Sequence, residues 1–127
     1  MVFVKWKICT WRITEDGTIR MWLVPPEIMC RQHLLGEHLE MHMFEGCIKK
    51  NKSLKGYIEK GLVDLSLISY RHQKLVEEME FREYNHKSPL YIPQRIVGGR
   101  VDEKKSFREL VSRCPECRLR AIYWGRY

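Results

Sequence analysis

Two stretches of the chain space their hydrophobic and polar positions in the manner of α-helices. The segment from Pro26 to about Lys50 contains no further proline, and proline suits a first helical turn, so one long helix is predicted there. A second helix is predicted from Asp64 to about Arg82. Its apolar stripe follows the helical period and consists of Ile68, His72, Leu75, Val76 and Met79.

The remaining pattern predicts shorter elements. Residues 1–24 alternate in the manner of strands, with a turn signal at Glu15–Gly17, which indicates a short N-terminal β-hairpin. Ser106 followed by Glu109 has the spacing of a capping box, which predicts a third helix from Ser106 to Arg113. The expected fold class is therefore all-α, a compact single domain of about three helices with wrapping loops.

The first predicted helix carries an ionisable stripe where a core-facing stripe is expected. His33, Gly36, Glu37 and Glu40 follow the spacing i, i+3, i+4, i+7 and share one face. A carboxylate near a sugar C1′ can stabilise an oxocarbenium-like transition state or shuttle protons, and a histidine can assist it. The spacing alone favours a simpler interpretation, in which both glutamates face solvent and His33 covers the core.

Histidine and cysteine spacings raise the question of a metal. His38 and His42 are four residues apart, Cys30 and His33 are three apart, and Cys114-Pro-Glu-Cys117 is half of a zinc-binding pattern. The glutamate lies at the wrong position for a zinc-protease motif, and there is no second CxxC. We therefore predict no metal ligand and no cofactor. Cys114 and Cys117 are expected to hold the tail in place as reduced or mutually oxidised thiols, and His72 is expected to be a buried or half-buried core histidine.

Length, composition and charge favour an intracellular domain with a polyanionic partner. The chain has 127 residues, a net charge of +7 and five cysteines, which we expect to be reduced thiols or metal ligands rather than disulfides. No apolar run is long enough to cross a membrane, and the N-terminus lacks the core of a signal peptide. In the tail, Tyr123 and Trp124 lie among arginines that include Arg126, a combination suited to phosphates and unpaired bases.

A series of motifs resembles the phage-type pyrimidine-dimer DNA glycosylases, the small endonuclease V enzymes, and in particular a cellular, prokaryotic branch. The series covers about residues 19–127, in the order and approximate spacing of that family apart from a longer gap before the tail. It consists of Gln32-His33-Leu34 with Glu37 and Glu40, then Arg71, Arg82–Asn85, Tyr91–Pro93, Arg100–Lys104 and Tyr123-Trp124-Gly125.

The resemblance implies a monomeric, cofactor-free enzyme that acts on damaged double-stranded DNA, without a membrane or an obligate protein partner, in the cytoplasm. Its nucleophile would be an N-terminal α-amine that attacks the sugar C1′, forms an imine and cleaves the strand by β-elimination. Glu40 falls on the catalytic glutamate of the family, with His33 and Gln32 on its neighbours. Arg20, Arg100 and Lys104 fall on DNA-contacting positions.

Two departures from the family pattern leave the chemistry open. Two DNA-gripping arginines fall on Leu39 and Met43, and the amine position falls on Ile19, behind 18 residues that we expect to be absent or removed in the active protein. Loss of catalysis, and substitution by Lys5 or Lys7, are the remaining explanations. The leading hypothesis is a glycosylase with abasic-site lyase activity. The alternatives are a catalytically impaired nucleic-acid-binding protein of the same fold and a protein stabilised by zinc at Cys114 and Cys117.

Overall fold

The computed structural model describes residues 19–86, 88–92 and 95–127, and over these residues the fold is all-α, as predicted. No β-strand occurs within the described ranges. The α-helices are α1 (Arg31–Lys49), α2 (Lys55–Glu59), α3 (Ile68–Phe81), α4 (Glu103–Arg113) and α5 (Pro115–Tyr123), and two 3-10 turns are η1 (Pro26–Ile28) and η2 (Leu65–Leu67). The three longest helices, α1, α3 and α4, are the three that the sequence predicts.

The first helix begins later than predicted. Pro26–Ile28 is a separate 3-10 turn, and Met29 and Cys30 are extended, so α1 starts only at Arg31. The cause is a long-range contact, because Arg82 at the end of α3 donates to the carbonyl oxygens of Pro26 and Met29 at 3.2 and 2.7 Å. Carbonyls that a continuous helix would use internally are bonded to this guanidinium instead.

The N-terminal cap of α4 also differs from the prediction. Asp102 caps the helix by accepting a hydrogen bond from the backbone nitrogen of Lys105 at 3.1 Å. Ser106, predicted as the cap, lies inside the helix and is buried, where its hydroxyl donates to the carbonyl oxygen of Trp22. This contact fixes the segment before α1 against α4.

The core lies where two helix pairs meet. Helix α1 packs against α3, α4 packs against α5, and η1 contacts both α3 and α5. The segment Ile19–Val24 runs through this core in a non-strand conformation, and Met21 donates its N–H to the carbonyl of Leu62 at 2.6 Å. Fully buried side chains of the core include Met21, Trp22, Leu34, Phe44, Leu75 and Leu110. The predicted hairpin falls mostly on residues 1–18, which lie outside the described residues.

The aromatic tail forms a helix that the sequence pattern does not predict. Helix α5 starts at Pro115, and Cys114 serves as its N-cap by accepting from the backbone nitrogen of Cys117. Cys117 and Ala121 are buried, whereas Leu119, Ile122 and Tyr123 are exposed. None of the helices in the described ranges is long and apolar enough to cross a membrane.

Candidate functional site

Glu40 is fully buried on α1 and faces the segment that precedes the helix. Its Oε1 accepts a hydrogen bond from the backbone nitrogen of Arg20 at 3.1 Å. Its Oε2 is buried and has no hydrogen-bond partner within residues 19–86, 88–92 and 95–127. Ile19, the predicted position of the amine, is the residue directly before this nitrogen and is itself buried. The predicted carboxyl group and the predicted amine position therefore lie next to each other.

The surroundings of Glu40 favour its protonated form. Burial raises the pKa of Glu40 well above its ordinary value, and the N–H of Arg20 opposes this rise only in part. The nearby charge of Glu37 raises the pKa further. A carboxyl group in this environment can hold a proton in a site that excludes water.

The side chain of Arg20 connects this buried group to the surface. Its guanidinium lies 3.9 Å from the ring centre of Trp22, donates to Glu109 Oε2 at 3.0 Å and donates to Ser106 Oγ at 3.3 Å. Arg20 also lines a cavity of about 300 Å³. The same residue thus contacts Glu40 through its backbone and the cavity through its side chain.

This Arg20 cavity has a basic lining. Its cationic residues are Arg20, Lys60, Arg100, Lys105 and Arg113, against the acidic residues Asp102 and Glu109. Arg100 and Lys105 are exposed, so phosphate oxygens can reach them. Lys104 lines a neighbouring cavity together with Arg100. The structure therefore brings Arg20, Arg100 and Lys104, all predicted DNA contacts, to one side of the molecule.

Glu37, predicted on the same face as Glu40, forms a buried ion pair. Its Oε2 and Oε1 accept from Arg71 Nε at 2.6 Å and Nη2 at 2.9 Å. Arg71 Nη1 also donates to the carbonyl oxygen of Val24 at 2.7 Å. Glu37 is fully buried and Arg71 is 3% exposed, so this pair joins α1 and α3 inside the core rather than in the cavity.

His33 lies in a cluster of cysteines, which we call the Cys/His cluster: Cys30, His33, Cys114 and Cys117. Its Nδ1 lies 3.1 Å from Cys30 Sγ and 3.6 Å from Cys117 Sγ. Burial disfavours the imidazolium, but hydrogen bonds with Cys114 and Cys30 outweigh it and raise the pKa of His33 to about 9. Hydrogen bonds from Cys117 and Cys30 lower the pKa of the Cys114 thiol. Without a bound metal ion, the cluster therefore favours a thiolate at Cys114 beside an imidazolium at His33.

The other four histidines form a second group, which we call the four-histidine cluster: His38, His42, His72 and His86. The ring centre of His38 lies 4.9, 4.8 and 4.8 Å from those of His42, His72 and His86. Burial and the neighbouring imidazoles lower the pKa of His38 to about 3 and that of His72 to about 4. The His38 and His72 rings are therefore neutral at pH 7. His72, predicted as a core histidine, is indeed buried.

Four further predicted DNA contacts lie outside the Arg20 cavity. Gln32 is exposed at the start of α1, and Tyr123 and Trp124 are exposed with their ring centres 5.4 Å apart. Arg126 is bonded to Glu27, with its Nε 2.9 Å from Oε2. None of the four lines the cavity, and their contact with DNA stays a prediction.

Sequence reasoning missed several residues that the fold brings to these sites. Lys105 could have been found, because it extends the basic run after Arg100. Lys60 and Arg113 enter the cavity from distant parts of the chain, and no local motif marks them. His86 lies in the loop after α3, outside any periodic pattern. Its proximity to His38 is visible only in the fold.

The comparisons with known proteins give one match. A family model described as pyrimidine dimer DNA glycosylase matches residues 19–92, which is more than half of the chain. The matched range includes Arg20, His33 and Glu40 and ends before α4 and α5. The searches of curated proteins and of solved structures found no match.

Proposed function

The chain belongs to the pyrimidine dimer DNA glycosylase family, and from this premise we propose that it removes a damaged base from double-stranded DNA and then cleaves the strand as an abasic-site lyase. In the proposed reaction, an α-amine at Ile19 attacks the sugar C1′ and the bond from C1′ to the base breaks. The sugar ring opens to an imine, and loss of a C2′ proton expels the 3′ phosphate.

One observation supports this proposal above the others: the hydrogen bond from the Arg20 nitrogen to Glu40 at 3.1 Å. Successive backbone nitrogens are about 3 Å apart. An amine at Ile19 would therefore lie no more than about 6 Å from Glu40 Oε1. Among the described residues, Glu40 Oε2 has no hydrogen-bond partner. In this position Glu40 can stabilise the positive charge that develops on the sugar and can move protons between the amine, the sugar and the leaving base.

The basic Arg20 cavity supports the choice of substrate. Five cations surround a space of about 300 Å³, a size suited to a small ligand or a flipped nucleotide. Arg100 and Lys105 are exposed at this cavity and would neutralise backbone phosphates. The Arg20 guanidinium, which Glu109 and Ser106 hold in place by accepting its hydrogen bonds, would contact DNA that enters the cavity.

We assign His33 no proton-transfer step. It lies seven residues before Glu40 on α1, which corresponds to about 10 Å along the helix axis. Its ring nitrogen contacts the thiols of the Cys/His cluster. In this proposal His33 orients the helix that carries Glu40.

The amine chemistry further requires an active form that begins at Ile19, because a peptide-bonded nitrogen cannot form an imine. The test is borohydride trapping on DNA with a single abasic site. A form spanning residues 19–127 with a free Ile19 amine should give a covalent adduct, and the full-length chain should not. Glu40→Gln should lower the trapping rate by about 10²–10⁴-fold. Glu80→Gln, at an exposed glutamate of α3, is the matched control and should react normally.

The same preparations decide the glycosylase step. Incision of ultraviolet-irradiated DNA by the residue-19 form, with loss in Glu40→Gln, is the expected result. No adduct and no incision from either length of the chain would overturn the proposed chemistry. Intact mass of the native protein reports independently where its N-terminus lies.

A second function is favoured by Leu39 and Met43, the apolar residues at positions where the resemblance expects DNA-gripping arginines. Met43 packs against the core, so its surroundings suit an apolar side chain. A protein of this kind would bind nucleic acid in a salt-dependent way without cleaving any damaged substrate. Turnover of irradiated or abasic DNA would eliminate this function.

A further inference from the structure

We propose that the Cys/His cluster is a structural zinc site. This inference is independent of the proposed function. The four ligand atoms of Cys30, His33, Cys114 and Cys117 all lie within 4.8 Å of one another. Three thiolates and one imidazole are a ligand set typical of closed, structural zinc sites.

The distances agree with a tetrahedral ion at the centre. Ideal zinc geometry places two sulfur ligands about 3.8 Å apart and sulfur and nitrogen about 3.5 Å apart. In the cluster, Cys114 Sγ lies 3.9 Å from Cys30 Sγ, and His33 Nδ1 lies 3.6 Å from Cys117 Sγ and 3.1 Å from Cys30 Sγ. These three distances lie within about 0.4 Å of the ideal values, and the remaining pairs of ligand atoms are no more than 4.8 Å apart.

The backbone presents the two halves of this site in the same way. Cys30 is the N-cap of α1 with His33 three residues later, and Cys114 is the N-cap of α5 with Cys117 three residues later. Helix N-termini stabilise thiolates, and backbone N–H groups add to this: Cys30 N donates to Cys117 Sγ at 3.2 Å, and Cys117 N to Cys114 Sγ at 3.4 Å. The first turns of two helices thus share one ion.

Disulfide pairing does not account for this arrangement. Cys30, Cys114 and Cys117 are all free thiols, and His33 Nδ1 lies 3.1 Å from Cys30 Sγ. One disulfide would use two sulfurs and leave the third thiol and the imidazole without a partner. A zinc ion uses all four groups, and it would fasten α5 to the start of α1.

A separate observation carries a second site, at the four-histidine cluster. The Nε2 atoms of His38, His42, His72 and His86 are all buried, and none of them has a hydrogen-bond partner in the part of the chain that the structure describes. Leaving one such atom unpaired is costly, and four of them within one cluster indicate a shared partner. We infer that this partner is a divalent transition-metal ion held by the four imidazoles. Zinc is the ion used to test this inference.

The opposite ring nitrogen shows how one of these ligands is oriented. His42 Nδ1 lies 3.2 Å from Glu45 Oε1. Glu45 is itself held by Lys49 at 3.1 Å and by the backbone nitrogen of Tyr91 at 2.7 Å. Carboxylate and backbone partners on the outer nitrogen are typical of metal-bound histidines, because they fix the tautomer and the ring direction.

The donor set restricts the kind of ion. Neutral imidazoles suit zinc, copper, nickel and cobalt, whereas magnesium and calcium require oxygen ligands. All four donors come from the protein, on α1, on α3 and in the loop after α3. An ion at this point would fasten α1 to α3 and would hold the loop that contains His86.

The number of zinc ions bound per chain tests both sites, and variants of each site serve as the controls for the other. Full-length protein purified with zinc and without chelator should contain about two zinc ions per chain. Cys114→Ser and His72→Gln should each retain about one, and the double variant about none. Cys47→Ser, at a thiol outside the cluster, should retain both.

Cobalt substitution identifies the ligands without relying on the folding of a variant. Cobalt added to the reduced, metal-free wild type should give intense thiolate-to-cobalt absorption in the near ultraviolet from the Cys/His cluster. That band should persist in His72→Gln and Cys47→Ser and disappear in Cys114→Ser. Absence of zinc together with absence of this band in the wild type would overturn the Cys/His site. A wild-type content of one zinc that Cys114→Ser removes completely would overturn the four-histidine site and leave a buried water as the shared partner.

Discussion

Among single residues, the ionisable side chains that share one face of α1 have different partners. Glu40 contacts the Arg20 backbone beneath the basic cavity, Glu37 pairs with Arg71, and His33 contacts thiols. All three are buried, so the solvent-facing interpretation of these glutamates is wrong. Each of the three side chains has a polar partner outside α1, which offsets part of the cost of burying it.

The buried Glu37–Arg71 ion pair predicts an energetic coupling between the two side chains. Glu37→Leu and Arg71→Met should each lower the free energy of unfolding by about 3–5 kcal/mol, since each leaves one buried charge without its partner. The double variant should be less destabilised than the sum of the singles by up to about 3 kcal/mol. Urea denaturation of the four proteins measures this coupling.

An exposed ion pair serves as the control for this cycle. Lys74 and Glu77 lie 3.5 Å apart on the surface of α3, and removing either should cost less than about 1 kcal/mol. Strict additivity of the Glu37 and Arg71 variants would show that the two side chains stabilise the fold independently.

At the scale of elements, Gly99 determines the path of the chain into α4. Its φ is +83°, and a Cβ at this position would lie 2.2 Å from the carbonyl oxygen of Val63. Gly99→Ala should therefore lower stability by about 2–4 kcal/mol. It should also weaken DNA binding, because the next residue is Arg100 of the cavity.

Gly46→Ala is the matched control for Gly99→Ala. Gly46 lies within α1, and an added Cβ would have no described residue within 4 Å. Alanine there should stabilise the protein by up to about 1 kcal/mol through helix propensity. Thermal unfolding of both variants measures the difference, and equal effects of the two substitutions would contradict the steric argument.

The cap of α4 predicts a dependence on pH. Backbone N–H groups of Lys105 and Lys104 lower the pKa of Asp102 in the folded protein. A lowered pKa contributes stability above the unfolded-state value of about 3.9 and loses it as the pH falls through the folded-state value. The wild type should have a slightly higher Tm than Asp102→Asn at pH 7, and this advantage should vanish in acid.

Asp102→Ala should be less stable than both at neutral pH, because alanine cannot accept the capping hydrogen bond. The Tm values of the three proteins between pH 7 and pH 2 test this. A constant difference between wild type and Asp102→Asn across that range would show that the charge of Asp102 contributes nothing.

The elements also show what sequence patterns can predict. The periods of α1 and α3 are local, so both helices were predicted correctly apart from their first residues. The start of α1 depends on Arg82, 53 residues after Met29, and the cap of α4 depends on how Ser106 packs against Trp22. Helix α5 was missed because its arginines and aromatics do not form a continuous apolar stripe.

The sequence likewise identified some residues of the candidate sites but not the contacts between them. Glu40 was identified from its position in the helix and from the resemblance, and the structure adds its contact with Arg20. Both halves of the Cys/His cluster are visible as three-residue spacings in the sequence. Their pairing depends on the packing of α5 against η1 next to the start of α1, which no local pattern encodes.

At the scale of the whole molecule, the net charge of +7 is distributed over several surfaces, and the Arg20 cavity brings five of the cations together. Each phosphate neutralised at a binding surface contributes about −0.9 to the slope of log K against log salt concentration. Charge at the cavity and charge elsewhere can therefore be separated by measuring that slope. The slopes measured for variants therefore show which surface of the protein binds DNA.

Arg100→Ala and Lys105→Ala should each weaken binding to duplex DNA and reduce the magnitude of the salt slope by about 0.9, because each removes one phosphate contact. Lys74→Ala, on α3 and outside the cavity lining, should leave both the affinity and the slope unchanged. Fluorescence anisotropy over a series of salt concentrations measures all three variants. Equal changes in Lys74→Ala and Arg100→Ala would show that DNA responds to net charge rather than to this cavity. Glu40→Gln should bind with an unaltered slope, because its carboxyl is fully buried beneath Arg20 and meets no phosphate.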